Sequence, residues 1–131
     1  MVRVCPPRDF DFSNVSTGTE TIVVAERIDA SQYDTIDVIV RVHTATTIST
    51  NGAIAVQVVS DGYTADDPSQ DFFGSTIGNG TTLSGTLAAG GMTVESLSAS
   101  IGSMVAVRVV GTAGSGAVTA RLSIDLAMKT C

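Results

Sequence analysis

Four aspartates crowd one short stretch: Asp61, Asp66, Asp67 and Asp71. Calcium takes about six to eight oxygen ligands, and a loop of carboxylates can supply them. The spacing lacks the alternate-position pattern and closing Glu of an EF-hand. Asp-Gly and Asp-Pro pairs are also ordinary turn chemistry, so a solvated turn is the plainer expectation and no metal is assigned. Tyr63 lies in the same loop, and with Asp66 and Asp67 it would make a small polar site with one aromatic wall. The chain has no Trp and two Tyr, a thin platform for stacking a sugar ring.

His43 is the only histidine, which argues against a multi-histidine zinc site. A Ser-His-Asp arrangement can be drawn around it, because serines and aspartates are plentiful. No G-x-S-x-G elbow is present, and a Cys5–His43 dyad has no better basis. Glu20, Glu26 and Glu95 offer no pair of carboxylates facing a cleft. His43 is therefore expected to be a strand-end or interface polar residue, the chain is not expected to be an enzyme, and no cofactor is expected. Cys5 and Cys131 lie near the two ends. Domain termini often lie close together, so a bridge is conceivable; two free thiols are favoured because no export signal opens the chain.

The elements that would position these residues are strands. Val118, Ala120, Leu122, Ile124, Leu126 and Met128 alternate with Thr119, Arg121, Ser123, Asp125, Ala127 and Lys129. That period of two is a long strand with one buried face. Val105, Val107 and Val109 alternate just upstream, and the Gly-rich loop 111–116 between the runs predicts a β-hairpin. Thr35 to His43 is a strand with Ile36, Val38, Val40 and Val42 on one face and Asp37, Ile39, Arg41 and His43 on the other. Asn51-Gly52 is a strong hairpin signal leading into Ala53 to Ser60. Thr19 to Glu26 and Thr81 to Leu87 complete the clearer runs. Met92 and Val94 break parity with Leu97, which predicts a bulge or bend near Glu95-Ser96. Residues 1–18 lack periodicity and carry Pro6-Pro7. They are expected to form an irregular arm, with residues 19–131 as one domain. About seven or eight strands at this spacing, with no helical pattern, predict an all-β antiparallel sandwich, jelly-roll-like.

Composition bounds the partners. The chain has 131 residues, a net charge of −6, and only 15% charged residues, against roughly 25% in an average soluble domain. Lys129 is the sole lysine. The acidic balance and scattered arginines argue against nucleic acid and against an anionic membrane. No apolar run approaches the roughly 18 residues of a membrane-spanning helix. The first residues carry no charged segment followed by an apolar one, so no secretory signal is expected there. A charge-poor surface is prone to associate, and a homo-oligomer is expected. Arg108, Arg121, Asp125, Asp37 and Arg41 sit on polar strand faces, where opposite charges stabilise cross-strand pairs.

Three stretches carry a resemblance: the strand entry from Ser31 to His43, the loop beginning Ser60-Asp-Gly-Tyr-Thr-Ala-Asp-Asp-Pro, and the final strand ending Ile-Asp-Leu-Ala-Met-Lys. In these the chain resembles small β-sandwich structural proteins of tailed-bacteriophage virions, of the capsid-decoration or head-associated type. The resemblance implies a non-enzymatic virion protein, made in a host cytoplasm, that assembles with itself and docks on a larger capsid shell. Phe10 and Phe12 of the arm, with Tyr63, Phe72 and Phe73, are the candidate interface residues. The alternative is a ligand- or carbohydrate-binding sandwich module, calcium-assisted through the Asp61–Asp71 loop.

Overall fold

Alternating β-branched runs resolve into nine strands among the described residues: β1 (Val2–Asp11), β2 (Thr19–Asp29), β3 (Thr35–Ile48), β4 (Ala53–Asp61), β5 (Phe73–Gly78), β6 (Thr82–Leu83), β7 (Met92–Leu97), β8 (Met104–Thr112) and β9 (Val118–Lys129). The structure, a computed structural model, describes residues 1–15, 18–61, 73–78, 81–97 and 104–130. No helix occurs among them. One sheet has the order β1-β9-β3-β7, and the second has β2-β8-β4-β5, with β6 also paired to β4. Every pairing is antiparallel.

The pairs are nested. β1 lies on β9, β2 on β8, β3 on β7, and β4 on β5 and β6. The chain is thus a two-stranded ribbon folded back on itself, so that β9 also meets β3 and β8 also meets β4. That winding is a jelly roll, as the strand spacing predicts. The facing sides of the two sheets form the core. Ile36, Val38, Val40, Leu122, Ile124 and Leu126 come from the first sheet; Ile54, Val56, Val58, Val105, Val107 and Val109 come from the second.

Several local expectations are corrected. The Gly-rich loop does not close a hairpin, because β8 and β9 lie in different sheets. Asn51 has the positive φ (67°) that its turn signal implies, but β3 and β4 also lie in different sheets. Both loops are corners between layers, and they brace each other. Ser49 N donates to Ala117 O (2.9 Å) and Ser115 N to Thr50 O (2.9 Å), while Gly116 N donates to Ser49 Oγ (2.9 Å).

Residues 2–11 are not an irregular arm but an edge strand on β9. Register shifts flank Cys5, between Arg3 and Cys5 and between Cys5 and Arg8. Pro6-Pro7 sit in the second shift, where prolines without a donor are tolerated on an edge. Phe10 and Phe12 are each 1% exposed, so they face the chain's own core and are not available to dock on a partner. Their rings stack with centroids 6.4 Å apart. Phe12 also crosses to the second sheet and lies flat on Gly111 of β8. A Cβ at position 111 would stand 2.0 Å from the Phe12 ring.

β7 carries no bulge, since its six residues pair with β3 without a register shift. The parity break has another cause: Leu97 points inward, whereas Met92 and Val94 point outward and are 57% and 51% exposed. A bulge does occur just before the strand. Gly90, at φ 87°, and Gly91 together oppose Val42, through Gly90 N to Val42 O and Val42 N to Gly91 O, both 2.8 Å. The strand expected over Thr81 to Leu87 contracts to β6, though Leu83 stays buried. Thr46 holds the remainder, donating to Gly85 O (3.0 Å) and accepting from Leu87 N (2.8 Å).

Candidate functional site

The long alternation of β9 puts Arg121, Ser123, Asp125, Ala127 and Lys129 on the outward face of the first sheet. The alternation of β3 puts Asp37, Ile39, Arg41 and His43 there too. Register aligns them in rows. Arg3, Asp125, Ile39 and Val94 form one row across all four strands; Ser123, Arg41 and Met92 form the next; Ala127, Asp37 and Ser96 form the one on the other side.

Asp125 is the centre of this face. Its side chain is 2% exposed although it points away from the core. Arg3 grips it with two bonds, Nε to Oδ1 at 3.0 Å and Nη2 to Oδ2 at 3.3 Å. Arg41 Nη1 donates to Oδ2 from the other side. Bidentate arginine and a second guanidinium satisfy the carboxylate that burial would otherwise penalise. The Arg3 bond, aided by the charge of both arginines, holds the Asp125 carboxyl below its ordinary range against the opposing effect of burial. Asp37 is held low in the same direction, first by Lys129 Nζ and then by Ser96 Oγ (2.7 Å). Arg121 pairs with Asp9 at 3.2 Å. On the second sheet, Arg108 Nε donates to Gln57 Oε1 at 2.8 Å. The charges singled out on strand faces thus serve cross-strand pairing. Arg3 was missed because Pro6-Pro7 hide the alternation of Val2, Arg3, Val4 and Cys5.

His43 Nε2 lies 2.8 Å from Ser123 Oγ. Ser123 is fully buried, so its hydroxyl offers no approach to a substrate in this arrangement. Asp125, the carboxylate two residues along, is occupied by the two arginines rather than by His43. The Ser-His pair is a cross-strand hydrogen bond, and among the described residues no carboxylate bonds to His43 to complete a triad. An open groove of about 260 Å³ lies beyond it, walled by Asp9, Asp11, Thr44, Thr119 and Arg121 and floored by Phe10. Its acids are already engaged: Asp9 with Arg121, and Asp11 with Ser13 N at 2.9 Å.

Asp66, Asp67, Asp71, Tyr63 and Phe72 lie outside the described residues. Asp61 and Phe73 are described only as paired ends of β4 and β5. Among the described residues no three His, Cys, Asp or Glu side chains come together to hold a metal ion. Cys5 is buried and free, and burial raises its thiol pKa; Cys131 lies outside the described residues. No described helix is long and apolar enough to cross a membrane.

Beside the partly exposed Arg3 and Lys129 and the exposed His43 and Ser96, this face leaves two large apolar side chains open. Met92 and Val94 stand exposed beside the ionic rows, on the strand at the sheet's edge. The only sequence signal for them was the broken parity around Leu97. No protein-family model matches the chain, and no curated protein matches it.

Proposed function

We propose that this protein is a non-enzymatic structural subunit that associates with itself and docks on a larger protein shell, such as a virion capsid. One observation carries the reading. The outward face of the first sheet spends its charges on internal pairs and leaves an apolar pair, Met92 and Val94, bare at its edge. Exposed apolar groups beside neutralised charges on an open sheet face are what an associating surface presents, whereas a small-molecule site is a concave, mostly apolar cleft with a few convergent polar groups. The charge-poor composition, with 15% charged residues, supports the same reading. Jelly rolls build both capsid shells and lectins, so the topology alone favours neither.

Native mass decides it. Light scattering or native mass spectrometry on the whole chain, across concentration and with and without Ca²⁺, is expected to give an oligomer that ignores calcium. A monomer at every concentration, or one that changes only with Ca²⁺, would remove the reading and turn attention to the Asp61–Asp71 loop.

A further inference from the structure

Among the described residues the two sheets have four edges, formed by β1, by β2, by β7 and by β5 and β6 side by side on β4. Edge strands invite pairing with another chain, and proteins blunt them with prolines, bulges and charge. β1 carries Pro6-Pro7 and two register shifts. β2 carries two shifts, a left-handed Arg27 (φ 57°), and exposed Glu26 and Arg27. β5 shifts register twice against β4. β7 is different. Its six residues run without a shift, contain no Pro or Gly, carry one charge, Glu95, and expose Met92 and Val94.

The phase of its hydrogen bonds is set by Val42 N donating to Gly91 O. In an antiparallel ladder bonded and non-bonded pairs alternate. Thr93 and Glu95 therefore turn their backbone groups to β3, and Met92, Val94 and Ser96 turn theirs to the open edge. Among the described residues β7 has no other neighbouring strand.

We propose that β7 pairs antiparallel with β7 of a second copy of this chain, about a twofold axis at Thr93. The inference rests on the assembly reading and names its first contact. The segment selects its own register. An axis at Glu95 would set Glu95 against its mate, a like-charge pair that disfavours the register. An axis at Val94 would set Met92 against Ser96 and Thr93 against Glu95. The axis at Thr93 sets threonine against threonine, a favoured cross-strand pair, with each Thr93 Oγ1 also donating to Thr81 Oγ1 of its own copy at 3.2 Å. The same axis sets Met92 against Val94 twice, which covers both exposed apolar side chains. It also brings the outward-turned groups of Met92 and Val94 into bonding with each other. The row Ile39–Val94 then continues into Met92 and Arg41 of the second copy. Both copies contribute Ile39, Val94 and Met92 to one apolar stripe framed by the two Arg41 side chains. The two first sheets become one continuous eight-stranded sheet. Six residues bury less than the roughly 1,200 Å² of a standard interface, so the dimer is expected to depend on concentration.

The test uses the full chain. Light scattering should show monomer passing to dimer as concentration rises. Val94→Pro removes an N–H that faces the open edge and no bond to β3. Val94→Lys keeps that N–H and puts a charge in the stripe. Both should remain monomeric where the wild type dimerises, with an unchanged circular-dichroism spectrum. In a Cys131→Ser background, Thr93→Cys should form an intermolecular disulfide at least five-fold more than Val94→Cys, because non-bonded pairs bring side chains closest. A dimer that survives in both Val94 variants overturns the edge contact while leaving the assembly reading standing. Cross-linking of Val94→Cys above Thr93→Cys overturns the register. A wild type that stays monomeric throughout overturns the inference and the assembly reading together.

Discussion

Asp125 faces outward on its sheet and is nevertheless buried, because Arg3 and Arg41 close over it. Removing one partner from such a cluster leaves the others under-satisfied. Asp125→Asn is expected to lower stability by about 1–3 kcal/mol in urea unfolding, less than a fully buried pair would cost, since both guanidiniums stay partly in water. The carboxyls of Asp125 and Asp37 are both held below their ordinary range, by Arg3 and by Lys129 respectively. Their contribution is complete above the unfolded carboxyl value of about 3.9 and is lost as pH falls through the lower folded values. Urea midpoints measured from pH 6 down to pH 2 should therefore fall steeply below about pH 4 in the wild type and less steeply in Asp37→Asn/Asp125→Asn. Cys5 gives a check of another kind. Cys5 is buried, so in Cys131→Ser protein a thiol reagent should label it only after unfolding. At this scale the charged pairs were legible from strand faces: Asp37, Arg41 and Asp125 share a parity that the structure keeps. Arg3 was not, since two prolines interrupt the alternation around it. Ser123 was not, because only register shows which polar residues a neighbouring strand covers.

Among the elements, β1 departs furthest from its expected form. A Pro-Pro pair usually marks irregular chain, and here it marks an edge strand with a register shift. The aromatic residues that follow are anchors rather than docking groups. Phe12 lies on Gly111 with no room for a Cβ. Gly111→Ala should therefore destabilise by about 1–3 kcal/mol through overpacking. Phe12→Ala, which empties the same contact, should cost about 3–5 kcal/mol. Thermal unfolding of the two variants checks both, and near-wild-type melting of either would contradict the packing. β7 teaches the complementary point. Its broken parity was visible, but parity alone cannot distinguish a bulge from a straight strand with apolar groups on both faces. The unshifted register with β3 decides for the second.

For the whole molecule, the nested pairing ties the first strand to the last. β1 lies on β9, and Phe12 N donates to Val118 O at 2.8 Å. Deleting residues 1–12 would remove an edge strand, both stacked phenylalanines and the cover over Gly111. The truncated chain is expected to lose cooperative unfolding by calorimetry, not merely to change its oligomeric state. A truncation that melts as the full chain does would return these residues to the status of an arm. The same topology predicts slow folding, because nearly every pairing closes a long loop before it is rewarded.

Period-two alternation in Thr35–His43 and Val118–Lys129, the positive-φ turn at Asn51, and the scarcity of charge are properties of neighbouring residues and of composition. The chain alone therefore determined the all-β class and the buried faces of the long alternating strands, but not β1 or the extent of β6. Which strand lies beside which is a property of residues far apart. β3 and β4 alternate as hairpin partners would, and so do β8 and β9, yet each pair is split between two sheets. A turn sets local direction, whereas the partner is chosen by how two apolar faces cover each other. Only the tertiary structure decided that Phe10 and Phe12 are core, that Asp125 is buried on an outer face, and that Met92 and Val94 are left bare at an open edge.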